Sequence, residues 1–156
     1  MKEWECDLLN PQATASLGSR IGTHLRGGDV VAMTGMLGAG KTTMIRAIGQ
    51  ELGADDMASP SFGIVHEHSV AMGRFLHVDA WRLKGQEDLM ALGWDEWAGN
   101  PDVILCIEWA DRIAAALDGF NPLMVNLQHT ENGRTAVLQW EDASRLASLA
   151  SSGAAP

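Results

Sequence analysis

Eight consecutive residues constrain this chain more than any others. Gly35-Met36-Leu37-Gly38-Ala39-Gly40-Lys41-Thr42 fills the pattern G-x-x-x-x-G-K-[ST] and follows directly on the apolar run Val30-Val31-Ala32-Met33. Such a loop works where a buried strand ends and a helix begins, because the helix amino end and successive backbone N–H groups then converge on phosphate oxygens. Gly35, Gly38 and Gly40 can take the backbone angles that turn those N–H groups inward, with Leu37 and Ala39 between them and Thr43 leading on into the helix. Lys41 supplies a mobile positive charge for the β- and γ-phosphates, and the Thr42 hydroxyl is placed to hold Mg²⁺.

The strand and helix that this loop demands are legible on either side of it. Asn10 and Pro11 read as the cap and first position of a helix, and Ala13, Leu17, Ile21 and Leu25 recur on one face until Gly27-Gly28. A strand over about 29–34 enters the loop, and the helix after it runs through Met44, Ile45, Ala47, Ile48 and Leu52 to stop at Gly53. Ser59-Pro60-Ser61 marks a loop before a hairpin made of Phe62 to Val70 and Arg74 to Asp79. One or two short helices are expected around Leu89, Met90, Leu92, Trp94 and Trp97, then a strand from Val103 to Ile107 and a helix from Ala110 to Leu117. Leu123 to His129 and Arg134 to Trp140 form a second hairpin, turned at Asn132-Gly133. Asp142 to Leu149 allows a helical turn or two, so the domain is expected over 1–145, with 146–156 a flexible tail.

With 156 residues and a 46% apolar fraction, the chain is long enough for one sheet covered by helices on both faces. Twenty acidic against eleven basic residues give a net charge of −9, which opposes direct contact with a polyanion; any nucleic acid substrate would be held by a partner. Lys2, Glu3, Glu5 and Asp7 are unlike a signal peptide, and no apolar run approaches a membrane span, so a soluble, cytoplasmic monomer is expected. Cys6 and Cys106 are far apart and read as buried, reduced thiols.

Hydrolysis of a bound nucleotide needs, besides the loop, an acid at the end of a neighbouring strand. Two strands end that way: Phe75-Leu76-His77-Val78-Asp79 and Val103-Ile104-Leu105-Cys106-Ile107-Glu108. With Lys41 and Thr42 they make a catalytic and metal-binding set of Lys41, Thr42, Asp79 and Glu108, against the plain alternative of strand-end acids that cap helices. Trp109 would shield the site, face a partner or simply pack. Ser59 and Ser61 stand where other NTPases keep a segment that senses the γ-phosphate, or form a capped turn. Arg134 is placed to stack on a base or to sit exposed on its hairpin. His66 and His68 lack a further ligand at metal spacing and read as a solvated hairpin face, while His77 reads as a hydrogen-bonded structural residue. No Asn-Lys-x-Asp sequence is present to read guanine, which favours ATP.

Five blocks in fixed order give the chain a family resemblance: Gly-x-Leu-Gly-Ala-Gly-Lys-Thr-Thr at 35–43, Ser-Pro-Ser-Phe at 59–62, His-Val-Asp-Ala-Trp-Arg-Leu at 77–83, Glu-Asp-Leu-x-x-Leu-Gly at 87–93 and Ile-Glu-Trp at 107–109. Together, over roughly residues 8 to 140, they resemble the bacterial TsaE (YjeE) family. The resemblance implies an ATPase of the pathway that installs threonylcarbamoyl on the adenosine next to the tRNA anticodon, docking on the heterodimer of TsaD and TsaB rather than making the modification itself. It further implies that Lys41 and Thr42 bind phosphate and Mg²⁺, that Glu108 is the magnesium ligand or water-orienting acid and that Asp79 completes the metal shell. By the same resemblance, Trp109 and the Ser59–Phe62 loop sense nucleotide or face the partner, and Arg134 lies near the base. Four positions depart from the usual pattern: Met36 for an acid, Ser61 for threonine, Trp81 for tyrosine and Ala110 for proline.

The fold expected is a P-loop NTPase-like, three-layer α/β/α domain with a mixed, centrally parallel sheet. Two rival functions share the loop. A small-molecule kinase would need an arginine-bearing lid, and 84–100 holds no arginine; a non-catalytic module would use ATP only for docking.

Overall fold

In the computed structural model, which describes residues 2–36, 38–54 and 64–152, a run missed in the sequence forms the first strand. In β1 (Lys2–Leu8), Trp4, Cys6 and Leu8 alternate with the exposed Glu3, Glu5 and Asp7, the signature of a half-buried edge strand. It is followed by α1 (Pro11–His24), β2 (Val30–Gly35), α2 (Lys41–Glu51), β3 (Val65–Val70), β4 (Gly73–Asp79), α3 (Gln86–Leu92), α4 (Trp94–Trp97), β5 (Val103–Glu108), β6 (Leu123–Thr130), β7 (Gly133–Trp140) and α5 (Ala143–Ser152).

The seven strands form one sheet in the order β1-β7-β6-β2-β5-β4-β3. β6, β2, β5 and β4 run parallel, and the outer pairings β1/β7, β7/β6 and β3/β4 are antiparallel. Parallel strands bury both faces, so β2 and β5 are apolar almost throughout. Val31 and Met33 of β2, with Ile104 and Cys106 of β5, pack among the side chains of α1, α2 and α5. Val30 and Ala32, with Leu105 and Ile107, pack toward α3, α4 and the 3₁₀ segment Ala110–Leu117. The expected three-layer, centrally parallel α/β/α arrangement is the one observed.

Local rules account for the elements that frame the loop. The Asn10 carboxamide oxygen accepts from the Ala13 N–H at 2.8 Å and caps α1, with Pro11 at the first turn. α1 lies close on α2: a Cβ at Gly18 would come within 2.6 Å of the Met44 carbonyl oxygen, and one at Gly22 within 2.8 Å of Glu51 Cβ.

Three further expectations are corrected. The domain boundary drawn at residue 145 falls inside α5, whose Leu146 and Leu149 are buried in the core. Arg145 holds this helix down by donating to Asp29 and the His24 carbonyl and by lying over the Trp140 ring. Ala110–Leu117 is a 3₁₀ segment interrupted at Ile113 rather than one α-helix. Cys6 is half-buried, since it lies on an edge strand; Cys106 is fully buried, and both are free thiols.

Candidate functional site

The loop is a backbone cradle before any side chain is considered. β2 ends at Gly35, where a Cβ would stand 2.5 Å from the Leu127 carbonyl oxygen, so only glycine lets β2 and β6 stay this close. Gly40, with φ of 105°, then turns the chain into α2, and Met44 donates to its carbonyl as the first helical bond. The first N–H groups of α2, beginning at Lys41, have no acceptor inside the helix and point outward at its positive end. Leu37 lies outside the described residues.

Around this cradle β5 and β4 deliver the ionisable groups. Alternation along β5 puts Glu108 on the same face as Ile104 and Cys106, the face covered by α2. There its carboxylate is held at both oxygens: Oε1 accepts from the Thr42 hydroxyl at 3.1 Å, and Oε2 accepts from His77 Nε2 at 2.6 Å. His77 comes from β4, one strand farther out, and is itself buried. Burial pushes the Glu108 carboxyl up, but the His77 hydrogen bond and charge, followed by Thr42 and Lys41, together hold it below the usual carboxylate range.

Lys41 is 5% exposed and donates from Nζ to the carbonyls of Gly35 at 2.6 Å and Met36 at 2.9 Å. Its ammonium also lies 4.0 Å from the centroid of the Trp109 ring. Burial lowers its pKa, opposed by Glu108, then Asp111 and Asp79. Trp109 reaches this position from a left-handed backbone, φ 57°, rare for a bulky residue. Its indole packs on Trp81 at 4.6 Å between centroids, and the Arg112 guanidinium caps Trp81 at 4.3 Å.

A cavity of about 270 Å³ opens at this edge of the sheet and gathers Gly38, Gly40, Lys41, Thr42, Thr43, Glu108, Trp109 and Arg134. Arg134, from β7, donates to the Gly38 carbonyl at 2.9 Å. Asp79 is not among the residues that line the cavity. Its Oδ1 accepts from the Trp81 N–H at 3.0 Å and caps the 3₁₀ turn Ala80–Arg82, although it stands opposite Glu108 in register. Ser59 and Ser61 lie outside the described residues.

His77 is the hydrogen-bonded residue expected, but that its partner is the site carboxylate Glu108 was not foreseen. The signal was an imidazole inside an apolar strand two residues before a strand-end acid, but its partner is on another strand. His66 and His68 do not form a solvated face: their rings lie 5.9 Å from His77 and 6.1 Å from Phe75, and Glu67 and Ser69 face outward.

These donors suit magnesium. Among the described residues no group of three or more His, Cys, Asp and Glu converges as a metal cage. Mg²⁺ takes few protein ligands and arrives on phosphates, so a threonine hydroxyl bonded to a buried, ionised carboxylate beside a helix amino end is a fitting set. Ala39 is buried beneath the loop and leaves its outer side clear, and a Cβ at Gly38 would meet nothing within 4 Å.

The family model described as "Threonylcarbamoyl adenosine biosynthesis protein TsaE" matches residues 8–136. A tRNA threonylcarbamoyladenosine biosynthesis protein TsaE of Nostoc sp. is 33% identical over 109 residues, 68% of this chain and 67% of that protein. The protein of the same name from Aquifex aeolicus is 32% identical over 118 residues, 69% of this chain and 89% of its own length. In fold, the chain is similar to the crystal structure of YdiB from Bacillus subtilis, with a TM-score of 0.78 over 96% of this chain and 95% of that one, at 24% identity.

Proposed function

Because the chain belongs to the TsaE family and so serves tRNA threonylcarbamoyladenosine biosynthesis, we propose that it does this as a magnesium-dependent ATP hydrolase acting on a complex of TsaB and TsaD. The observation that carries the reading is the chain of contacts Thr42–Glu108–His77 beside Lys41 at the amino end of α2.

Each residue's part follows from its chemistry. The α2 N–H groups and the glycines bind the phosphate chain, and the Lys41 ammonium leaves the Gly35 and Met36 carbonyls to meet the terminal phosphates. Thr42 and Glu108 hold magnesium, which when bound neutralises the charge that builds on the phosphate oxygens. Glu108 stays ionised because His77 donates to it, and Asp79 is available to the outer metal shell through water. Trp109 excludes water from the ammonium, and Ser59 and Ser61 belong to the segment that senses the nucleotide. Arg134 keeps the loop closed by its bond to Gly38 and faces the base.

Hydrolysis by the isolated protein is slow in this reading. Of the arginines at this edge, Arg134 is bonded to Gly38 and Arg112 lies over Trp81, so the partner complex completes the positioning of the reacting groups. Steady-state phosphate release, measured for the chain alone and with TsaB and TsaD, tests this: turnover rises in the complex, and equal turnover overturns the proposal. Glu108→Gln separates hydrolysis from mere docking. Loss of tRNA modification with magnesium-free nucleotide binding retained supports hydrolysis, and undiminished modification favours docking.

A further inference from the structure

The outer layer of the fold stops short of one edge of the sheet. The buried side chains that strands contribute beneath α3, α4 and the 3₁₀ segment come from β2, β4 and β5; β6 adds only the half-buried Met124, and β7 and β1 add none. Past Met124 this face of the sheet meets water, as antiparallel strands commonly do, and carries amides: Asn126 donates to the Thr34 hydroxyl and Gln128 to Asn126, each at 2.7 Å.

At the border, between the 3₁₀ segment and β6, lies a cavity of about 390 Å³. Its apolar lining is Ala110, Ala114 and Leu117 with Pro122 and Met124. Its charged lining is Asp111, Asp118 and Glu141, and no Lys, Arg or His is among the described residues that line it. A second cavity, of about 590 Å³, shares Thr34 and Asp111 with the first and continues along the ends of β2 and β6, past Gly35 and Met36, to Trp109. Trp109 also lines the cavity at the phosphate loop, so the two form a trough that leads to the candidate site.

A solvated sheet face accounts for the amides but not for this hollow. Glu67, Asp29 and Glu108 each face an arginine or an imidazole, whereas Asp118 and Glu141 are exposed and take no ion pair among the described residues. Carboxylates over apolar walls give the trough a negative potential that no lining lysine or arginine offsets. It complements a ligand that is apolar along its stem and positive at its head, which is the chemistry of lysine and arginine side chains. The same carboxylates repel phosphate-bearing ligands and anionic lipid surfaces.

We propose that this trough docks a lysine- or arginine-bearing segment of a protein partner, its basic heads on Asp118 and Glu141 and its stems on Leu117 and Met124. The proposal rests on the partner reading above and adds to it the face that is used. A segment seated here is led by the second cavity to Met36 and Trp109, and so to the phosphate loop.

Asp118→Lys/Glu141→Lys reverses the charge at two exposed positions that do not line the cavity at the phosphate loop. Titration with the complex of TsaB and TsaD in magnesium ATP is expected to show binding at least about 30-fold weaker than wild type, since like charges then meet across the interface. Asp118→Asn/Glu141→Gln, which adds no charge, loses about tenfold and depends less steeply on salt. Both double variants keep wild-type affinity for magnesium ATP when isolated. Glu51→Lys, at an exposed acid on the opposite layer, stays within about twofold of wild type for the complex. Wild-type affinity for the complex in the reversed variant overturns the proposal, as does an equal loss in Glu51→Lys, which would reduce the effect to net charge. Lost affinity for magnesium ATP in both double variants also overturns it. Failure of wild type itself to bind the complex overturns instead the partner reading.

Discussion

Asp79 and Glu108 end adjacent parallel strands and stand opposite one another in register, yet the structure uses them differently. Glu108 is 7% exposed, with one oxygen on Thr42 and the other on His77; Asp79 is half-buried and caps a 3₁₀ turn through the Trp81 N–H. Strand order makes the difference. β5 is the immediate neighbour of β2, so its last residue falls beside the loop and against α2, whereas β4 is one strand removed and its chain must turn at once into Ala80–Arg82. What a strand-end acid does is set by its place in the sheet, and the local sequence pattern is the same for both.

Replacing each acid by its amide probes this contrast with the largest effect. Glu108→Gln is expected to lower magnesium-dependent turnover by roughly 100-fold, and Asp79→Asn by about tenfold or less, in the range of direct and outer-shell ligand losses. Equal losses, or a larger one at Asp79, would break the comparison. The unfolding free energy offers a second test, because the lowered Glu108 pKa contributes stability that is fully present above the ordinary carboxylate value of about 4.3. That contribution fades as pH falls through the lower folded value. Chemical denaturation should therefore find wild type more stable than Glu108→Gln by roughly 1–3 kcal/mol at pH 7, with the gap flat to about pH 5 and closing below about pH 4. A gap that widens in acid contradicts the assignment.

His77→Leu, which leaves one Glu108 oxygen without its donor, is expected to weaken magnesium-dependent nucleotide binding by about tenfold while leaving magnesium-free binding nearly unchanged. Equal weakening under both conditions would make His77 a packing residue only. The smallest effect is expected at Trp109→Leu, where loss of the indole face under the Lys41 ammonium is worth about 0.5–1 kcal/mol in nucleotide affinity. An effect as large as that of Glu108→Gln would move the centre of the site toward the tryptophan.

The parts of the fold governed by short-range rules were legible in the sequence. The glycine pattern, the Asn10–Pro11 helix start and the two hairpins place β2, α1, α2, β3, β4, β6 and β7 within a few residues. β1 was not read from the sequence, although Trp4, Cys6 and Leu8 carry the alternation of a strand. α5 runs on past residue 145 because its anchors, Asp29 and the His24 carbonyl, are distant in sequence and leave no mark in the local pattern. The candidate site divides in the same way. Lys41 and Thr42 are read from one motif, but the Glu108–His77 bond joins residues 31 apart on neighbouring strands. Such pairings depend on strand order and helix packing, which periodicity does not encode.

The most direct test of the central claim, a phosphate-binding cradle completed by magnesium on Thr42 and Glu108, is calorimetric titration of ATP into the folded protein with and without Mg²⁺. The account predicts saturable uptake of one ATP per chain, at least about tenfold tighter with Mg²⁺ than without it. No uptake by well-folded protein, or an affinity indifferent to magnesium, would contradict it.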